Sequence, residues 1–194
     1  LPVVMCLDRG GLVGEDGVTH HGVFDMAAFG CVPTLAIAAP MDELELRGMM
    51  YTGLQYGHPF MIRYPRGNGA GRLWRGVPFE ALPVGRGRRL REGTDVALVT
   101  VGTVGNAAAR AAERAAAKGV SVAHYDLRFA KPLDEALLAG VGAEFRHVVT
   151  VEDGSLRGGV GEAVTAFFNA RGCEVAVHSL GIGDEWVEHG TPAQ

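Results

Sequence analysis

The sequence predicts an α/β protein built on mostly parallel sheets, and three observations carry that reading. Short, wholly apolar runs such as PVVMCL, TLAIAA and DVALVTV have the character of strands buried on both faces. Helical segments alternate with these runs, the order that produces right-handed crossovers in a doubly wound sheet. The 29 glycines follow no collagen period and form no low-complexity tract, so they mark many tight turns between strand and helix.

Taken in order, residues 2–7 are expected as a buried parallel strand, followed by the glycine-rich stretch LDRGGLVGEDGVTHHGVFD at 7–25. Residues 23–29 suit a short helix closed by Gly30, and 34–39 a second buried strand. Asp42 is placed to cap a helix running to about Tyr56, with Glu43 and Glu45 at its positive end and Leu44, Met49 and Met50 on its apolar side. Gly57-His58-Pro59 stops it, and 59–64 form a third strand. Residues 67–81 open with GNGAGRLWRG, lack periodicity and read as an interdomain linker. Residues 82–90 suit a short strand or hairpin arm. A second unit then alternates strand 95–101, helix 106–118, strand 121–126, helix 134–139, strand 147–151, helix 159–171 and strand 174–180. The expected organisation is 1–66, a linker 67–81, and 82–194.

Composition excludes several classes. A formal net charge of -4 gives no reason to expect nucleic acid or an anionic membrane as partner. Cys6, Cys31 and Cys173 form no CxxC pair, so neither a disulfide framework nor a zinc site is indicated, and a reducing cytosol fits. No apolar run approaches the roughly 20 residues that cross a bilayer, and no signal peptide is read at the start. The chain opens without Met inside an expected strand and stops at HGTPAQ, where a helix is expected to start; a fragment is therefore expected.

The stretch 7–25 carries Asp8, Arg9, Asp16, His20, His21 and Asp25 among five glycines, more titratable groups than a connecting loop requires. Loops after strands are where α/β proteins place their chemistry. Arg9 and Arg66 each stand just past the carboxyl end of an expected strand, where two guanidinium groups can grip one phosphate. His20 suits proton transfer near neutral pH, with Asp16 as the carboxylate that fixes its tautomer; His21 is the weaker candidate. Adjacent histidines project apart and no third ligand is suitably spaced, so no metal is expected here. Each of these residues also has a bland reading as an ordinary polar loop residue. Gly102-Thr103-Val104-Gly105 matches neither dinucleotide nor P-loop fingerprints and reads as a tight turn. The glycines at 158–161 open a helix whose N–H groups suit an anion or close packing equally. In 126–134, Arg128 and Lys131 are expected as structural partners of Asp126 and Asp134.

The blocks GEDGVTHHGVFD, APMDELELRGMMYTG, IRYPRGN, DLRFAKPLDEALL and VEDGSLRGGVGEAV together resemble a carboligating branch of the thiamine-diphosphate-dependent transketolase family. The resemblance extends over essentially the whole chain. It implies two three-layer αβα units: the later part of a pyrimidine-binding domain and most of a transketolase C-terminal domain. The implied reaction condenses pyruvate with D-glyceraldehyde 3-phosphate, releases carbon dioxide and yields 1-deoxy-D-xylulose 5-phosphate for isoprenoid, thiamine and pyridoxal synthesis. By resemblance, Arg9 and Arg66 hold the substrate phosphate, Asp16 and His20 belong to the catalytic network, and the intact enzyme is a homodimer. Thiamine diphosphate and Mg2+ are implied for that enzyme, with their main ligands upstream of Leu1, so the fragment alone is expected to be inactive. The alternatives are a transketolase or a 2-oxoacid dehydrogenase β-type subunit, and, in another class, a non-catalytic subunit-interaction module in which these side chains do not converge.

Overall fold

The computed structural model describes residues 1–191; part of the helix start expected in HGTPAQ lies outside them. In chain order the strands are β1 (Val4–Leu7), β2 (Ala36–Ala38), β3 (Phe60–Arg63), β4 (Arg88–Arg91), β5 (Val96–Thr100), β6 (Val122–Asp126), β7 (Phe129–Lys131), β8 (His147–Ser155) and β9 (Ala176–Ile182). The helices are α1 (Asp25–Gly30), α2 (Glu43–Gln55), α3 (Val104–Ala116), α4 (Glu135–Glu144) and α5 (Val160–Ala170). They build two sheets, ordered β1-β3-β2-β7 and β4-β6-β5-β8-β9, parallel except where β7 meets β2 and β4 meets β6. The expected α/β class with mostly parallel sheets is what the chain adopts.

Strand alternation divides the core. Ile37 and Met61 point into a cluster shared with Val99, Leu127 and Leu138 of the second unit, while Ala36, Ala38, Phe60 and Ile62 face Met49 of α2 on the other side. One apolar core therefore runs between the two sheets.

Several expectations change. The first strand is not buried: β1 lies at the edge of its sheet, half-covered, with Cys6 exposed, because only β3 flanks it. Helix α2 is capped as expected, the Glu45 N–H donating to Asp42 Oδ1 at 2.8 Å, but Met50 is exposed. Its buried face consists of Glu45, Gly48, Met49, Thr52 and Gly53, and the missing side chain at Gly48 lets Leu82 and Glu80 pack close. The segment at 82–90 forms no hairpin with the next strand; β4 pairs with β6 instead. In the charged stretch 126–134, Phe129–Lys131 is a strand that adds to the sheet of the first unit. Lys131 does not pair with Asp134. Its Nζ donates to the carbonyls of Gly30 and Val32, while Asp134 caps α4 and takes Arg86 and the Gly87 N–H. The Asp126 carboxylate receives the Arg128 backbone N–H, but the Arg128 side chain goes to Glu45.

Two buried groups of the second sheet titrate in opposite senses. Burial, aided by the Arg88 charge, pulls His124 down to about 4. Burial and the Glu45 charge push Asp126 up to about 6 despite Arg88. His124 thus costs stability as pH falls from 6.5 towards 4, because the unfolded chain takes up its proton first. Asp126 costs stability as pH rises from 3.8 towards 6, because the folded chain holds its proton longer. The slopes oppose. His124→Gln, which keeps a polar partner for the Thr100 hydroxyl 2.9 Å away, should remove one of them. The stability difference between parent and variant should then grow in the parent's favour by on the order of 3 kcal/mol from pH 4 to 6.5. Urea unfolding across that range measures it, and a pH-independent difference would refute the assignment.

Candidate active site

The loop between β1 and α1 leaves the sheet at Asp8, and its neck is tied by backbone hydrogen bonds. Gly11 N–H donates to Gly22 O (2.9 Å), while Gly22 N–H is shared between Arg9 O and Gly11 O (3.0 Å each). Gly10 N–H donates to Tyr64 O at 2.8 Å, anchoring the neck to the end of β3. Gly11, at φ +82°, also has no room for a side chain, since an added Cβ would press on the Asp153 carboxylate.

Within this frame Arg9 and Arg66 meet on one carboxylate. Arg9 Nε donates to Asp16 Oδ2 at 3.0 Å, and Arg66 Nη1 pairs with Asp16 Oδ1. A second Arg9 nitrogen, Nη1, pairs with Asp8 at 3.1 Å. Hydrogen bonds from Arg9 and then Arg66 hold the Asp16 carboxyl below its usual range, and the bond to Asp16 raises Arg9 in return. Asp16 ends the short 3₁₀ turn Gly14–Asp16, which aims its side chain back at Arg9. Each guanidinium carries five N–H donors, so N–H groups remain after these bonds to receive an incoming oxyanion.

The expected pairing of Asp16 with His20 does not form. His20 Nδ1 lies 2.9 Å from Thr19 Oγ1, and both Asp16 oxygens are taken by guanidinium groups, which make strong charge-assisted bonds to a carboxylate. His21 is a fastener. Its Nδ1 accepts the Val13 N–H at 3.1 Å, which leaves Nε2–H to donate to Val187 O at 3.1 Å. Gly190 N–H to Gly14 O (3.2 Å) and an edge-to-face contact of Phe24 with Trp186 complete this tie to the segment after β9.

Sequence reasoning missed Arg63. Its side chain is 2% exposed; Nε donates to Asp25 Oδ2 at 2.7 Å, Nη2 to Gly22 O at 3.0 Å, and Nη1 to Asp153 Oδ1 at 2.5 Å. Burial opposes its charge, but Asp153 and Asp25 together raise its pKa. The available signal was a lone charge inside the apolar run PFMIRY, since a buried charge must be paired.

The glycines at 158–161 do not present a free anion site. The Glu152 carboxylate accepts N–H from Val160 (3.0 Å) and Gly161 (2.8 Å) at the start of α5, so the chain supplies its own anion. Burial pushes the Glu152 carboxyl up, against those two amides. The turn at 102–105 is tight, with Gly102 at φ +79° and Gly105 N–H returning to Gly102 O at 3.0 Å. Among the described residues no cluster of three or more His, Cys, Asp or Glu side chains can hold a metal ion. The two buried glutamates, Glu45 and Glu152, already have internal partners. The residues described do not fit the diphosphate–metal end of a thiamine cofactor.

Two α/β units thus carry clustered charged side chains at the carboxyl ends of β1 and β3. The chain belongs to the transketolase family: residues 1–71 match its pyrimidine-binding domain and 85–194 its C-terminal domain. Among curated proteins it is similar to the 1-deoxy-D-xylulose-5-phosphate synthases of Bacteroides fragilis (55% identical), Bacteroides thetaiotaomicron (54%) and Symbiobacterium thermophilum (46%), each over 100% of this chain. It spans 30% of the length of each of these relatives. A solved split-gene transketolase, described as an inactive beta4 tetramer, superposes with a TM-score of 0.80 at 25% identity, over 93% of this chain and 57% of its own.

Proposed function

We propose that this chain is part of a thiamine-diphosphate-dependent transferase that condenses pyruvate with D-glyceraldehyde 3-phosphate, releasing carbon dioxide, to give 1-deoxy-D-xylulose 5-phosphate. That product feeds isoprenoid, thiamine and pyridoxal synthesis. The observation that carries this reading is the meeting of Arg9 and Arg66 on Asp16 at a sheet edge; the similarity to synthases along the whole chain supports it.

In this reading Arg9 and Arg66 hold the substrate phosphate through the N–H groups they do not spend on Asp8 and Asp16, and Asp16 keeps the two cations together until the dianion arrives. His20, its Nδ1 occupied by Thr19, uses Nε2 to deliver a proton to the oxygen of the aldehyde as the new carbon–carbon bond forms. Thiamine diphosphate, held by other parts of the protein, would supply the chemistry that makes a carbon of pyruvate nucleophilic. Its diphosphate and Mg2+ ligands are assigned to parts of the protein outside these 194 residues. A homodimer in the cytosol completes the proposal, in keeping with three unpaired cysteines. No described helix is long and apolar enough to cross a membrane.

The test is product analysis with the whole protein, thiamine diphosphate, Mg2+, pyruvate and D-glyceraldehyde 3-phosphate. Formation of deoxyxylulose phosphate with loss of carbon dioxide is expected. Ketol transfer between sugar phosphates would favour a transketolase, and acyl transfer to a lipoyl group a dehydrogenase subunit. His20→Asn should lower kcat by about 100-fold while moving either KM by less than about threefold. An unchanged kcat would remove His20 from the mechanism.

A further inference from the structure

The Arg63 guanidinium bonds the C-terminal end of the site loop and the opposite unit at once, and it lies against the neck of the loop. It bonds Asp25, where the loop enters α1, and the Gly22 carbonyl that also receives the Gly11 N–H at the neck. Across the unit boundary it holds Asp153, near the carboxyl end of β8. A Cβ added at Gly10 would lie 3.2 Å from the Arg63 guanidinium, and one at Gly11 2.5 Å from Asp153 Oδ2, so the neck backbone lies directly against this ion cluster. Next to it, Ser155 N–H donates to Val23 O at 2.7 Å, extending the seam between β8 and the loop. Arg9 precedes the neck by one residue, and Arg66 follows Arg63 by three on the same strand exit. One buried cation therefore lies against the neck that follows Arg9 and on the strand that leads to Arg66.

We propose that Arg63 is the positioning residue of the site: by pinning the 8–25 loop to β8 of the other unit, it sets Arg9 and Arg66 at the separation that accepts a phosphate. This rests on the assignment of those two arginines to the phosphate. A lysine keeps the charge but has no planar fork, and so cannot bond Asp25, Gly22 and Asp153 together. The bland alternative is an ion pair that stabilises the fold and leaves the geometry of the arginines alone.

Three measurements on the whole protein separate these cases. First, Arg63→Lys should raise KM for D-glyceraldehyde 3-phosphate at least about tenfold while KM for pyruvate moves by less than about twofold, and kcat/KM should fall at least about fivefold more for the phosphorylated than for the unphosphorylated aldehyde. Asp153→Asn, which leaves the bond to Asp25, should give a smaller shift of the same kind and serves if the lysine variant does not fold. Second, amide exchange at Gly11 and Gly22 should quicken in both variants while that of β3 and β5 does not. Third, inorganic phosphate should slow exchange in residues 8–25 of the parent and fail to do so in the variants. Equal losses for all substrates, or unchanged exchange at the neck, would overturn the positioning role. If the parent forms no deoxyxylulose phosphate, the proposed activity fails alone, and the exchange experiments still decide what Arg63 does.

Discussion

Replacing Glu45 by Ala is expected to lower the free energy of unfolding by about 3–5 kcal/mol, the usual cost of removing one partner from a buried ion cluster. Glu45 sits in the first turn of α2 with a side chain 4% exposed. One carboxylate oxygen accepts from Arg128 Nε at 2.6 Å and Arg88 Nη2 at 2.8 Å, and the other from the Met41 N–H at 2.8 Å. With the methyl group in its place, Arg88 keeps Asp126 at 3.1 Å, but the largely buried Arg128 side chain loses its carboxylate. The Met41 N–H also loses its acceptor, a further penalty if water cannot reach it. Because Glu45 belongs to the first unit and both arginines to the second, the variant should also unfold less cooperatively, with spectroscopic and calorimetric transitions that no longer coincide. Glu45→Gln, which preserves an acceptor, should lose less. Denaturant titration measures both; a loss below about 1 kcal/mol for the alanine variant would mean that the arginines are re-solvated in the folded state.

That cluster shows where local sequence ran out. The alternation of strands and helices, the Asp42 cap and the stops at Gly57 and Gly119 are written in neighbouring residues, and the chain follows them. So are Arg9 and Arg66 at strand exits, because a strand's end can be read from its apolar run. The ties across the unit boundary cannot be read this way. Glu45 looked like an ordinary acidic residue in a first helical turn; its arginine partners stand 43 and 83 positions further on. Asp153 stands two residues past the expected strand at 147–151, lies within β8, and is the far anchor of Arg63, 90 positions away. Strand β7 was hidden because Phe129–Lys131 is only three residues long and borrows its edge from β2, an element of the other unit. Local pattern specifies an element's type, whereas charged residues at an interface acquire meaning only from the surface opposite. The Asp16–His20 pairing failed for the same reason: nearness in sequence placed them together, and two guanidinium groups arriving from either side of the loop took the carboxylate first.

Arg66→Ala in the whole protein is expected to raise KM for D-glyceraldehyde 3-phosphate by about 10- to 100-fold with KM for pyruvate nearly unchanged, since only the aldehyde carries a phosphate for the charge-assisted bonds to hold. Arg9→Ala should act in the same direction but less, because its guanidinium already divides its donors between Asp8 and Asp16. The double variant should fall short of the product of the two single effects. With one arginine gone, Asp16 turns wholly to the other and weakens its hold on the phosphate, so the pair is coupled through the shared carboxylate. Asp16→Asn supplies the counter-test. It removes the competing negative charge, so phosphate alone should bind the variant at least as tightly as the parent, while both arginines lose the carboxylate that aligns them and kcat falls. Steady-state kinetics with the phosphorylated and unphosphorylated aldehyde, together with inorganic phosphate as competitive inhibitor, measure each quantity. Equal losses for pyruvate and for the phosphorylated aldehyde would separate the two arginines from the phosphate, and strictly multiplicative effects would separate them from each other.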